Sequence, residues 1–302
     1  MSSSGNEALL GSWELSLHGK SAGTRELYLR VARWFVAWMV AGGRPQEASG
    51  DLLAARRQDA ESWFASQRVA GLAPATLRSR WIALRNLYGW LTEEEEIDTN
   101  PMLRVKMPKA NPKPVEVLTT DDLTALLKAC QGTGFQDRRD MALIRYLAAT
   151  GSRLAETTAL DVGNIDLHRR VAYIAHRKGD KARFARFDAA TATAIDRYMR
   201  VRGRHRLSDR PALWLGRDGR YTRSGIQIMI DRRAALAGIG HVHPHQLRHT
   251  FADRYLRNGG TEGDLQQLGG WESAEVMRRY GSARAVDRAL AGYDVADPMS
   301  GL

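Results

Sequence analysis

Chemistry on a phosphate needs cations held close together, and arginine is the side chain that grips phosphate through two parallel N–H donors. In this sequence such residues recur in short ordered segments. Thr150-Gly151-Ser152-Arg153-Leu154-Ala155-Glu156 sets Arg153 between the end of one helix and the start of the next, where backbone amides also favour an anion. Glu156 follows three residues on, at a spacing that lets its carboxylate hold the guanidinium. A lone arginine there more often serves as a surface ion-pair partner, so the order and spacing of the whole set carry the signal.

The segment His241-Val242-His243-Pro244-His245-Gln246-Leu247-Arg248-His249 first raises the question of a metal. Pro244 breaks any strand that would align His241, His243 and His245. No cysteine is near, and His249 with Asp253 supplies half a ligand set, so no metal is expected. His245 and Arg248, three apart at a helix start, can instead converge on one ligand. Leu268-Gly269-Gly270-Trp271 and then Tyr280 complete the set. A tyrosine with its ordinary pKa of about 10 is a poor nucleophile at neutral pH, and arginines with a histidine are what would activate one. Of nine tyrosines only Tyr280 and Tyr293 lie near the C-terminus. Tyr280 follows a helical pattern in Met277-Arg278-Arg279, whereas Tyr293 sits in Ala291-Gly292-Tyr293.

These residues need a scaffold, and apolar periodicity outlines it. Residues 1–20 show few periodic apolar positions and are expected to be frayed or disordered. Leu27, Val31, Trp34, Phe35 and Trp38 then recur at helical spacing until Gly42-Gly43, and Leu77, Trp81, Leu84, Leu87, Tyr88 and Leu91 do so after Pro74. Arg78 and Arg85 share another face of that second helix, able to track a DNA backbone or simply to be solvated. Pro101 to Pro114, with four prolines and three lysines, reads as an extended linker. Thr119 and Asp122 are spaced as a capping pair ahead of a helix, and another helix spans Arg139 to Ala149. From Val171 to Phe187, β-forming residues flank Lys178-Gly179-Asp180-Lys181, which predicts a hairpin. Helices resume at about 190–201, 224–237, 247–258, 262–268 and 274–280. The expected architecture is mainly α in two domains. A helical domain occupies residues 21–106 and a linker 107–117. An α+β domain with a small sheet or hairpin fills 118–302.

The bulk numbers fit a polyanionic partner. The formal charge is +11, from 45 Lys plus Arg against 34 Asp plus Glu. Residues 1–110 hold 14 basic and 12 acidic side chains, leaving 31 and 22 beyond, so the positive field belongs mainly to the C-terminal part. No run of eighteen apolar residues and no leader pattern occurs, so a soluble cytoplasmic protein with no membrane partner is expected. The single Cys130, in an apolar run, reads as a buried thiol.

Taken in order, the motifs resemble the tyrosine recombinase, or phage integrase, family. The likeness extends from about Thr24 to the C-terminus and includes Asn100-Pro101, which fits the end of the family's helical, SAM-like core-binding domain. It implies a site-specific DNA recombinase that cleaves and rejoins DNA through a 3′-phosphotyrosine, using no cofactor. In that reading Arg153 and Arg248 clamp the scissile phosphate, His245 hydrogen-bonds it or shuttles a proton, and Tyr280 attacks. Glu156 and His249 support these residues from behind. Lys178 resembles the hairpin lysine that protonates the leaving 5′ oxygen, with Lys181 the alternative. Trp271 stands where many members place a second histidine. An indole can donate one hydrogen bond but accepts no proton. The resemblance further implies double-stranded DNA core sites as substrate, a tetramer on DNA and DNA-bending accessory proteins. It implies integration or excision of a phage or mobile element, by a simple integrase without an arm-binding domain. The alternatives are Xer-like dimer resolution and an inactive DNA-binding relative, and the complete residue set argues against the last.

Overall fold

The computed structural model describes residues 3–43, 50–109, 116–175 and 182–271. The chain divides into two compact units, Met1–Lys113 and Pro114–Leu302, with the division inside the proline-rich stretch. Each has its own apolar core. Among the described residues no helix is long and apolar enough to cross a membrane.

The first unit is helical: α1 (Ser3–Ser16), α2 (Ala22–Trp38), α3 (Arg57–Val69) and α4 (Pro74–Glu93). Ser21 caps α2, its hydroxyl accepting from Thr24 N at 3.2 Å, and Pro74 opens α4 where its missing N–H costs nothing. The expected fray at residues 1–20 is corrected here. Leu10, Trp13 and Leu17 recur at helical spacing and are buried, with Trp13 stacked on Tyr28. Asn6 fastens the helix by donating to Gly50 O at 2.6 Å and accepting from Leu52 N at 3.2 Å. Three apolar anchors suffice to order a stretch that glycine and serine made look loose.

Among its described residues the second unit has seven α-helices and a three-stranded sheet, packed around a main core with a smaller cluster beside it. In order these are α5 (Thr120–Lys128), α6 (Phe135–Thr150), α7 (Leu154–Ala159), β1 (Ile165–Asp166), β2 (Val171–Ile174), β3 (Arg183–Arg186), α8 (Ala189–Arg202), α9 (Arg223–Leu236), α10 (Pro244–Arg257) and α11 (Glu262–Gly269). The Thr119 and Asp122 capping pair forms as its spacing predicts. α6 is the central element, packed against α8 and α10, with Leu143, Ile144, Tyr146 and Leu147 fully enclosed. The sheet is antiparallel in the order β1-β2-β3. Its register pairs Ala172 with Ala185 on the buried face and Tyr173 with Phe184 on the exposed one. Strand β1 and α3 have no counterpart in the sequence reading, whereas α7 begins directly after Arg153, where a helix start is expected. The hairpin turn with Lys178 and Lys181, and everything after Trp271, including the expected helix at 274–280, Tyr280 and Tyr293, lie outside the described residues.

Charge as well as apolar contact holds α6 to α9. Asp140, wholly buried, accepts from Arg139, Arg232 and Arg233, and Arg233 also reaches Asp137 and Ala129 O. Removing that carboxylate strands two buried guanidiniums, which typically costs about 3–5 kcal/mol. Asp140→Ala is therefore expected to lower the denaturant stability of the second unit by about that amount. A loss below about 1 kcal/mol, as for an exposed pair, would contradict it.

Candidate active site

Two glycine corners bring the chemistry-bearing residues together. α6 ends at Gly151 in the left-handed conformation (φ 58°), and a Cβ there would lie 2.3 Å from the Phe251 ring on α10. That close approach lets Arg248, 4% exposed, donate to Gly151 O. Buried hydroxyls brace the corner: Thr150 donates to Tyr146 O at 2.7 Å, and its oxygen accepts from Ser152 N at 3.2 Å with Ser152 Oγ 2.9 Å away. The second corner is Gly269-Gly270. A Cβ on Gly269 would strike the Trp271 ring, and one on Gly270 (φ 64°) would lie 2.7 Å from Arg183 Nε, so glycine leaves room for that guanidinium. Trp271 folds back into a small cluster with Phe251, Leu256 and Leu265 while lying 3.8 Å beneath the Arg248 guanidinium. It is thus both a core aromatic and a wall of the site.

Arg153 is the N-cap of α7. Its backbone N–H donates to Glu156 Oε2 at 2.8 Å, and its Nη1 to Glu156 Oε1 at 3.1 Å. Nη2 donates to Gly270 O. The carboxylate meets a third donor, Arg183 Nη2, at 2.8 Å. Burial alone would raise the Glu156 pKa, but the Arg183 and Arg153 charges and the Arg153 amide outweigh it and hold the group below its ordinary value. Glu156 is therefore a stable anion between two cations.

His245, one helical turn before Arg248, presents its ring to solvent. It meets the His249 ring edge-to-face at 4.3 Å. The surrounding protein, and then the Arg248 charge, lower its pKa from 6.5. Burial drives His249 further down, to about 4, aided by His245 and Arg248. His241 and His243 form a separate pair, with His241 on Asp231 at 2.7 Å. The nine-residue histidine segment is thus split into two pairs facing different partners.

Of the residues singled out from sequence, Arg153, Glu156, His245, Arg248, His249 and Trp271 gather at these two corners. Arg78 and Arg85 belong to the first unit, exposed on α4, with Arg85 over the Trp81 ring at 5.0 Å. Lys178, Lys181 and Tyr280 are among the residues not described. Two features escaped the sequence reading. One is Arg183, on the core-facing side of β3, opposite Ile174. The other is Arg80 on α4, 4.4 Å from the Trp34 ring and 6.0 Å from Trp63, where burial lowers its pKa. An arginine at an inward strand position is the signal that would have found the first, because such a charge needs a buried partner.

The sequence matches the phage integrase family model over residues 116–285. It is 30% identical to tyrosine recombinase XerC of Corynebacterium efficiens over 242 residues, covering 79% of this chain and 77% of the relative. Identity to XerC of Chromohalobacter salexigens is 31% over 294 residues, covering 95% and 93%. Among solved structures, the Tn1549 transposon integrase in complex with transposon right end DNA superposes with a TM-score of 0.72 at 18% identity. That match covers 95% of this chain and 98% of that one.

The lowered imidazole pKa values lead to a direct expectation. A base whose pKa is depressed stays neutral to a lower pH than usual, so each ring carries less charge at a given acid pH than a free imidazole would. In an NMR titration, His245 should show a midpoint below 6.5 and His249 one near 4. Arg248→Ala should raise both. A His245 midpoint at or above 6.5 would contradict the electrostatics described.

Proposed function

This chain belongs to the phage integrase family, and we propose that its two glycine corners frame the phosphate-binding half of a tyrosine recombinase active site. The enzyme is a site-specific DNA recombinase. One observation carries the assignment of the site. Arg153 and Arg248, from α7 and α10, are held against Gly270 O, Gly151 O and the Trp271 ring in one frame, and Tyr280 follows Trp271 by nine residues.

In this reading the two guanidiniums receive the non-bridging oxygens of the scissile phosphate and offset the charge that grows as phosphorus becomes five-coordinate. Tyr280 Oη attacks phosphorus, the bond to the 5′ oxygen breaks, and that oxygen takes a proton from Lys178, with Lys181 its alternative. A 3′-phosphotyrosine and a free 5′-hydroxyl result. The 5′-hydroxyl of a partner strand reverses the step, so phosphodiester energy is conserved and no nucleotide is consumed. His245, kept neutral, donates to or accepts from the same phosphate, and His249 backs its ring. Trp271 takes the place of a possible second histidine, leaving proton handling to His245 and the lysine.

The substrate is double-stranded DNA, read as a pair of core sites by four protomers, with DNA-bending accessory proteins where the sites require them. Arg78 and Arg85 on α4 serve backbone contacts of the first unit. Integration or excision of a phage or mobile element and dimer resolution share all of this chemistry. The match along 95% of the chain to a protein named XerC supports the second outcome.

A duplex nicked beside its cleavage position should trap a covalent protein–DNA adduct, lost in Tyr280→Phe with DNA affinity retained. Adduct that survives this change would move the nucleophile to Tyr293. Lys178→Ala should slow cleavage of ordinary DNA but spare a 5′-thio leaving group, which needs no proton. Equal loss on both substrates would remove Lys178 from the acid role.

A further inference from the structure

Arg183 is not a member of the phosphate-binding set, yet it holds that set together. Its side chain is 9% exposed and Glu156's is 10%, so their 2.8 Å pair is buried. Arg183 Nη1 donates to Leu268 O, two residues before the Gly270 carbonyl that receives Arg153. The contacts close a ring: Arg153 to Glu156, Glu156 to Arg183, Arg183 to Leu268 O, and along the chain to Gly270 O and back to Arg153. A buried arginine with Nε lacking a partner among the described residues is costly to keep in a core-facing strand position. Alanine or leucine would fill that position without a charge.

We propose that Arg183 is a positioning residue for DNA cleavage. It registers strand β3 against the Leu268–Trp271 turn, and so sets the angle of the Arg153 guanidinium and of the Trp271 ring beneath Arg248. The inference rests on the recombinase reading above. Two features fit this role better than simple fold support. The ring joins segments that flank the catalytic candidates in sequence, since Arg183 follows Lys181 by two residues and Trp271 precedes Tyr280 by nine. Its bonds also end on backbone carbonyls of a turn whose glycines permit one close approach, where Gly270 with a Cβ would meet Arg183 Nε at 2.7 Å. A planar fork can serve Glu156 and Leu268 O at once, and an ammonium cannot match both directions.

The test is single-turnover cleavage of a nicked duplex at saturating protein, with affinity measured separately. Arg183→Lys keeps charge and most of the volume, and is expected to slow adduct formation about 100-fold, the scale of a one-ångström misplacement near the chemistry. The dissociation constant for DNA should stay within about twofold, since Arg183 touches no DNA in this reading. The loss should persist on a 5′-thio leaving group, because the phosphate clamp is affected and not proton delivery. Arg183→Ala should be slower still and recover at least tenfold in millimolar methylguanidinium, which refills the vacated fork and would not rescue a misfolded chain. An adduct rate in Arg183→Lys within threefold of the unaltered enzyme would overturn the proposal. So would a loss matched by an equal loss of affinity, full recovery on the 5′-thio substrate, or no recovery with methylguanidinium. The unaltered enzyme and Tyr280→Phe run in the same series. If the unaltered enzyme forms no covalent adduct at all, the recombinase reading itself fails, an outcome separate from any behaviour of Arg183.

Discussion

Two guanidiniums cannot share a small buried volume unless something negative separates them, and Glu156 is that group. One carboxylate oxygen takes Arg153 Nη1, and the other takes the Arg153 amide and Arg183 Nη2. Taking ions out of water costs several kcal/mol each, so such a cluster persists only when most of its donors find partners with good geometry. Here further donors end on backbone carbonyls, Gly270 O for Arg153, Leu268 O for Arg183 and Gly151 O for Arg248, while Arg183 Nε lacks a partner among the described residues. The glycine corners exist because those carbonyls must face inward. The packing of α6 on α10 brings the corners within reach.

The same arrangement decides what the imidazoles do. Arg248 stacks on the Trp271 ring, and its charge, added to burial, lowers the pKa of His245 and His249 and so favours their neutral forms. Neutral imidazole can donate from one nitrogen and accept at the other, whereas imidazolium would add a third cation and lose its acceptor. A site whose permanent positive charge comes from arginine, with histidine held in reserve for proton movement, suits a reaction in which charge builds on phosphate oxygens.

Much of this was legible in the sequence, for identifiable reasons. Arg153 and Glu156 could be paired because a carboxylate three residues into a helix can reach back to the residue that precedes it, and in the structure Glu156 accepts from both the Arg153 amide and its guanidinium. His245 and Arg248 followed from the same spacing. Trp271 was singled out by its place in the motif order, and the structure shows that it is also a core aromatic stacked under Arg248. Arg183 was missed because its importance depends on which face of β3 it occupies. That register is fixed only by pairing with β2, and one residue of slip would have turned the charge outward. The partner carbonyls of Gly151, Leu268 and Gly270 were equally hidden, since every residue has a carbonyl and only the folded turn says where it points. The order of α1 was lost among glycines and serines although Leu10, Trp13 and Leu17 carried the period.

The central claim is that Arg153 and Arg248 act on the negative charge of one scissile phosphate. Replacing a non-bridging oxygen of that phosphate by a methyl group removes the charge while keeping the reacting centre. Cleavage of such a methylphosphonate duplex should show far smaller losses for Arg153→Ala and Arg248→Ala than cleavage of ordinary DNA, by at least about tenfold, or 1.4 kcal/mol of restored transition-state balance. Losses of equal size on the two substrates would contradict it and leave the arginines as supports of the fold alone.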